Sequence, residues 1–392
     1  MNRRIALLMG LAAGAAGTLR PLAAAKLPAA RDDDPAVGSC NVRPDHMRAA
    51  PVGVGSEFAA SVLGGSGEGQ HFVDVEQGWT LEHDSLLAHR IREPLTGTIH
   101  EASRAHGTAV LGIVCGASAT GGYVGLAPRV ASVHVASRVE SAHDAISRAV
   151  EKLVELNHND AGSGGGVLLL ETQAQMPSPQ GNMCNLPIES HPDLFALIRG
   201  ATQLGITVIE AAGNGCDAIV PETGIDLDEY ADESGVRILR RNSARGDSGA
   251  IVVGAARAEV QDGRHRRVAS SNYGSRVDCY AWGEAVTAPS STAHAPYATT
   301  ACTADFGETS AAAAIIAGVA LIVQGVVSHA EPGRRVAPRR LREILGDPAL
   351  GTGCVIAQGR IGVMPDLARI LTPGVLGVTL RRAPHFQAAA RE

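Results

Sequence analysis

From residue 69 onward the chain alternates short, continuous apolar runs with longer segments of helical period, and this alternation narrows the fold more than any other feature. QHFVDV (70–75), RVASVHVA (129–136), GGVLLLET (165–172), ITVIEAAG (206–213) and GAIVVGAA (249–256) read as strands. HGTAVLGIVCG (106–116), SAHDAISRAVEKLVELNH (141–158) and HPDLFALIRGATQLG (191–205) read as helices, the second with a clear 3.6-type pattern. SAAAAIIAGVALIVQGVVSHA (310–330) predicts a further, strongly apolar helix. Strands that are apolar throughout need cover on both faces. The pattern therefore predicts an α/β fold: a doubly wound, mostly parallel central sheet with helices on both sides. In such sheets, sites form where loops leave the carboxyl ends of the strands.

The 392 residues are 45% hydrophobic, enough for one large core. With 46 glycines and only 3% aromatic residues, small side chains do much of the packing. A net charge of -6 argues against a nucleic-acid partner. The basic segment EPGRRVAPRRLR (331–342) is short and contains prolines, so it reads as a solvated loop and helix edge. Arg3 and Arg4 precede an apolar stretch over residues 5–19, and Ala23-Ala24-Ala25 offers a small-residue cleavage site. Residues 1–25 thus read as a signal peptide, and the protein as exported, either extracellular or periplasmic. The apolar stretch is too short for a comfortable membrane span, so no stable insertion is expected. Residues 26–65, rich in Pro, Gly, Asp and Ala, read as an N-terminal extension or short propeptide. Residues 66–372 form the main domain and 373–392 a C-terminal tail. Seven cysteines allow up to three disulfides. Spacing does not fix the pairing; Cys184–Cys216 and Cys279–Cys302 are guesses.

Four residues could carry chemistry. Asp74 ends a strand in VDVEQGW, and His106 opens a helix beside Gly107. Asn214 follows a strand in AAGNG, and Ser310 begins the apolar helix, beside the positive end of its dipole. Singly, each has a bland explanation: a strand-end cap, a packing histidine, a turn, a helix N-cap. Together they supply an orienting acid, a general base, an oxyanion donor and a nucleophile.

The segments VDVEQGW, HGTAVLGIV, VGLAPRVASVHV, VIEAAGNG, SSNYGSRVDCYAWGEAV, FGETSAAAAIIAGVAL and IGVMPDLARIL closely resemble those of the subtilisin-like serine proteases, in the family's own order. The resemblance runs from about Gln70 to about Leu371. It implies a serine endopeptidase that cleaves polypeptide substrates through an acyl-enzyme. On the family pattern, Asp74 orients the His106 imidazolium, His106 deprotonates Ser310, and Asn214 with the Ser310 N–H holds the oxyanion. The chemistry requires no cofactor. A structural calcium is possible in the acidic stretch at 217–248, which otherwise reads as a solvated surface insertion, and oligomeric state is left open.

Two departures from the family stand out. Glu308 occupies a position where the family has glycine; its carboxylate there narrows the pocket, disfavours acidic substrates, raises the pKa of His106, or points harmlessly away. The cleft wall reads ETQAQMPSPQGNMC (171–184), so Glu171 and Gln173 become candidates for shaping selectivity. Two other readings stay open: a catalytically impaired fold acting as a binding protein, and a hydrolase of non-protein esters or amides. The motif GDSGA (246–250) nearly matches the trypsin-like nucleophile segment, but Ser248 leads into a strand of a βαβ pattern and is set aside.

Overall fold

In the computed structural model, residues 38–40, 44–118, 122–159, 166–178, 181–216, 223–232, 234–291 and 297–383 are described. The proposed signal peptide lies outside them. The apolar runs form the expected strands. His71–Glu76, Gly166–Leu170 and Thr207–Ala211 are buried at every residue. They belong to a nine-stranded sheet ordered Ser132–Ser137, His71–Glu76, Gly166–Leu170, Thr207–Ala211, Ile251–Gln261, Cys279–Trp282, Val363–Pro365 and Gly351–Gly353, with Arg264–Arg267 alongside Ile251–Gln261. The first seven strands run parallel. Gly351–Gly353 and Arg264–Arg267 pair antiparallel.

Two pairs of helices cover the sheet. Ala142–Asn159 packs with Pro192–Gln203, and Arg104–Cys115 packs with Glu308–Ala330. Because the central strands are buried on both faces, the two pairs take opposite sides. The helix Glu308–Ala330 touches four of the parallel strands, and 20 of its 23 residues are buried. It is long and apolar enough to cross a membrane, yet it is wholly enclosed by this domain and is a core helix.

The domain is larger at both ends than its composition suggests. Met47, Val54, Ala59 and Val62 are buried in the main core. The carbonyls of Val52 and Val54 accept from Trp282 Nε1 (2.7 Å) and the Leu367 N–H (3.0 Å). Residues 44–65 are therefore packed structure, where the sequence suggested an extension or propeptide. At the other end Leu376 and Val378 are buried, and Ala383 N–H donates to the Ser61 carbonyl.

Cys184–Cys216 is bonded as expected and ties strand Met183–Pro187 to Gly215–Cys216. The other pairing differs from expectation. Cys302 bonds to Cys40, because strand Gly38–Ser39 returns to pair with Ala301–Phe306. Cys279 is a free thiol enclosed in a parallel strand. The stretch 223–248 also departs from a plain surface loop, since Leu227, Tyr230 and Leu239 are buried.

Candidate active site

The chain passes from His71–Glu76 to its neighbour Ser132–Ser137, then crosses back to Gly166–Leu170 on the other side. The strand order reverses there, so a crevice opens beyond the carboxyl ends of His71–Glu76 and Gly166–Leu170. The last pair in their register is Val75 with Leu170, and the Glu171 N–H donates to the Val75 carbonyl at 3.0 Å. Glu76 and Glu171 consequently emerge side by side at the crevice.

His106 sits in the first turn of Arg104–Cys115. That turn is anchored: Arg104 donates to the Trp79 carbonyl at 2.9 Å, and Thr108 Oγ1 accepts the Thr80 N–H at 2.9 Å. A side chain at Gly107 would collide with the Gly78 carbonyl and the Trp79 ring, so glycine allows the helix to approach this closely. The imidazole stands edge-on to Phe306, with ring centroids 5.3 Å apart.

The acid beside His106 is Glu76, which corrects the assignment of Asp74. His106 Nδ1 lies 2.5 Å from Glu76 Oε2, while Glu76 Oε1 accepts the Gln77 N–H at 2.7 Å. Asp74 points to the same side of the strand but one pleat further back. Its Oδ2 accepts the Trp79 indole N–H at 2.8 Å. Burial, then the charge of Glu76, raise the Asp74 pKa well above the usual carboxylate range, opposed by the Trp79 bond. The sequence did hold a signal for Glu76: it is the last strand residue and is followed by Gln77-Gly78, where the chain turns away.

Glu171 is only 4% exposed. Its carboxyl is pushed well above the usual range by burial, then by the charges of Glu76 and Asp74; a Ser310 hydrogen bond and Arg138 act in the opposite sense. The Ser310 interaction is loose, since neither Glu171 oxygen completes a hydrogen bond of ordinary geometry. Arg138, whose pKa is lowered by burial, feels both Glu76 and Glu171. Donor atoms of Glu76, His106 and Glu171 all lie within 4.8 Å of one another. Because Glu76 and His106 are already in contact, the set reads as a proton-sharing group rather than as ligands around a cation.

Ser310 lies in the first turn of the core helix and is 7% exposed. In that turn the N–H groups of Glu308, Thr309 and Ala311 go to Gly283 O, Asn214 Oδ1 and Gly307 O. Among the described residues, the Ser310 N–H has no such partner. Asn214 Oδ1 also accepts the Thr309 hydroxyl at 2.6 Å, which leaves the Nδ2 amide as its free donor group. The Asn214 N–H donates to Gln173 Oε1 at 3.2 Å. Gln173 thus holds the Asn214 loop. Gly213 has a φ of 91°, and a side chain there would strike the Asn185 carbonyl. Asn272, which the sequence reading missed, braces the same loop by donating to the Asn185 and Ala212 carbonyls and accepting from Gly215 and Ile225.

Glu308 adopts a φ of 61°, the left-handed region that favours glycine. Its carboxylate accepts from Ser270 Oγ. Strand Gln173–Pro177 is an outer strand of a three-stranded sheet. Ser248 is buried and donates to Glu189, a structural role. In the acidic stretch, Asp226 caps the Asp228 N–H, Asp228 holds Ser275, Asp232 holds Ser234 and Val236, and Glu229 pairs with Arg237.

Two similar solved structures are a cold-adapted subtilisin-like serine proteinase and the S41 psychrophilic protease. The first has 18% identity and a TM-score of 0.50, covering 76% of this chain and 88% of its own. The second has 17% identity and a TM-score of 0.53, covering 76% and 92%. At these identities the likeness shows the fold alone. No curated protein sequence matches the chain. The subtilase family profile matches residues 82–357, beginning just after the strand that carries Asp74 and Glu76. With that match spanning well over half of its length, the chain belongs to the subtilase family and is a serine endopeptidase.

Proposed function

We propose that this protein cleaves peptide bonds through an acyl-enzyme on Ser310, with His106 as general base and Glu76 as the acid that orients it. The observation that carries this reading is the 2.5 Å contact of His106 Nδ1 with Glu76 Oε2 at the crevice where Glu171 and Ser310 also meet. Ser310 Oγ attacks the substrate carbonyl and gives its proton to His106 Nε2. Glu76 holds the Nδ1–H and stabilises the imidazolium that forms. The oxyanion is met by the Asn214 amide N–H and the Ser310 backbone N–H. One such donor contributes about 100- to 1,000-fold in rate. His106 then protonates the leaving amine, and water repeats the sequence to release the acyl group.

The outer strand Gln173–Pro177 supports an extended polypeptide as substrate, because a free strand edge offers main-chain hydrogen bonds. The Cys40–Cys302 and Cys184–Cys216 bonds support an oxidising compartment, in keeping with an exported protein.

The test is labelling with a fluorophosphonate and hydrolysis of casein or a peptide substrate. Wild-type protein is expected to be labelled at Ser310, and Ser310→Ala to lose about 10^6-fold in kcat. Folded wild-type protein that neither labels nor cleaves would refute the reading.

A further inference from the structure

Glu171 has no place in the mechanism above, yet it is in the middle of the site. Parallel register brings its carboxyl beside that of Glu76, with donor atoms of both within 4.8 Å of each other and of His106. Two carboxylates this close in a buried site cannot both carry a full charge at little cost, and such pairs hold one proton between them. Their surroundings decide where it rests. Glu76 contacts His106 and accepts the Gln77 N–H. Glu171 has neither kind of partner, and both of its oxygens are buried.

The groups that face Glu171 come from four other elements. Asp74 and Glu76 come from the neighbouring strand, and His106 from its helix. Arg138 comes from the segment after Ser132–Ser137, and Ser310 from the core helix. Arg138 is the one fixed cation in this set, its Nε is buried without a hydrogen-bond partner among the described residues, and it faces Glu76 as well. One arginine against three acidic side chains leaves at least one of them better off protonated.

We propose that Glu171 is a positioning residue of this site, a neutral carboxylic acid that leaves the negative charge of the pair on Glu76 and turns its O–H toward Ser310. The inference rests on the reading of Ser310 as nucleophile and His106 as base. A neutral Glu171 lets His106 face a single carboxylate, so the imidazole remains free to accept the Ser310 proton. An ionised Glu171 would place a second negative charge beside His106, holding a proton on the base. It would also stand next to the carbonyl on which the oxyanion develops and repel it. Burial and the charges of Glu76 and Asp74 raise the pKa of this carboxyl, which favours the neutral form beyond the ordinary carboxylate range. Activity is therefore lost on the alkaline side, as pH rises through the raised pKa.

Full-length wild type, Glu171→Gln and Glu171→Asp separate this from a structural role. Glu171→Gln is expected to keep kcat/KM within about tenfold of wild type at the optimum, and to lose the alkaline fall in the pH profile. Glu171→Asp, which keeps a titratable carboxyl, retains that fall. A residue that merely filled space would change the height of the profile and not remove one limb. An infrared difference spectrum between wild type and Glu171→Gln reads the proton without turnover. It is expected to show the carbonyl stretch of a protonated acid at neutral pH, giving way to carboxylate bands as pH rises. Carboxylate bands at neutral pH would overturn the proposal. So would an alkaline limb that survives in Glu171→Gln, or a loss in that variant as large as that of Ser310→Ala. If wild type showed no Ser310-dependent cleavage, the functional reading would fail, and the infrared result would still decide the protonation of Glu171.

Discussion

Glu189 and Glu171 are both buried acidic side chains near the central sheet, each beside a second carboxyl (Glu210 and Glu76), and they differ in their cationic and hydrogen-bonding partners. Glu189 Oε1 meets Arg276 Nε at 2.5 Å, and its Oε2 accepts from a second Arg276 nitrogen at 2.9 Å and from Ser248. Asp278 next to it accepts from Arg276, Arg241 and the Val252 N–H. Asp247 takes two bonds of 2.7 Å from Arg342, which hold its carboxyl well below the usual range. Each oxygen of these three carboxylates has a partner. Around Glu171 the reverse holds: among the described residues, Asp74 Oδ1, both Glu171 oxygens and Arg138 Nε are buried without one. Buried polar groups are nearly always satisfied, so the orphaned set needs an explanation and the saturated one does not. Saturation fixes geometry, whereas unmet hydrogen-bonding capacity leaves protons free to move and substrate atoms something to bind.

The largest effect expected from breaking this contrast comes from Glu76→Gln. It keeps the shape of the side chain but removes the charge that faces the imidazolium, so kcat is expected to fall about 10^4-fold with little change in KM. Asp74→Asn should cost less than about tenfold, because an amide oxygen can still accept the Trp79 N–H. Steady-state kinetics of the two variants on one peptide substrate decide the matter. An Asp74→Asn enzyme as impaired as Glu76→Gln would restore Asp74 as the orienting acid.

That contrast also marks where the sequence stopped being legible. The strands and helices could be read because their apolar runs are long and their periods distinct. His106, Asn214 and Ser310 could be read because each sits at an abrupt end of such a run. Asp74 and Glu76 could not be told apart by burial, since all six residues of His71–Glu76 are buried and no in–out alternation remains. The partner of Cys302 was hidden for a different reason. Its pairing depends on residues 38–40 returning across 262 positions to lie against Ala301–Phe306, a tertiary event that spacing does not encode. Residues 44–65 looked like an extension or short propeptide by composition, yet their backbone carbonyls and a few apolar side chains supply the packing.

On the saturated side, Arg276→Met is the sharper test. It would strand Glu189 and Asp278 as buried carboxylates with part of their hydrogen bonding removed. Breaking one partner of a buried ion pair typically costs about 3–5 kcal/mol. The unfolding midpoint in urea should drop accordingly, while kcat/KM per folded molecule stays within about twofold of wild type, since Arg276 serves the scaffold. A variant that kept its stability but lost turnover would erase the distinction between the two groups.

Glu308→Gly should change least, and it separates two acidic side chains that the sequence offered as equal candidates for modulating the site. At a φ of 61° a glutamate carries about 1 kcal/mol of backbone strain that glycine would relieve. Glycine in turn forfeits the Ser270 bond and loosens the unfolded chain by a comparable amount, so stability should shift by less than about 1 kcal/mol. Because the Glu308 carboxylate is engaged by Ser270, while Glu76 contacts His106 and Glu171 stands beside them both, the pH profile of Glu308→Gly should superimpose on that of wild type. A shift of its acid limb would show that Glu308 acts on His106 after all, and that the site is governed by more carboxylates than Asp74, Glu76 and Glu171.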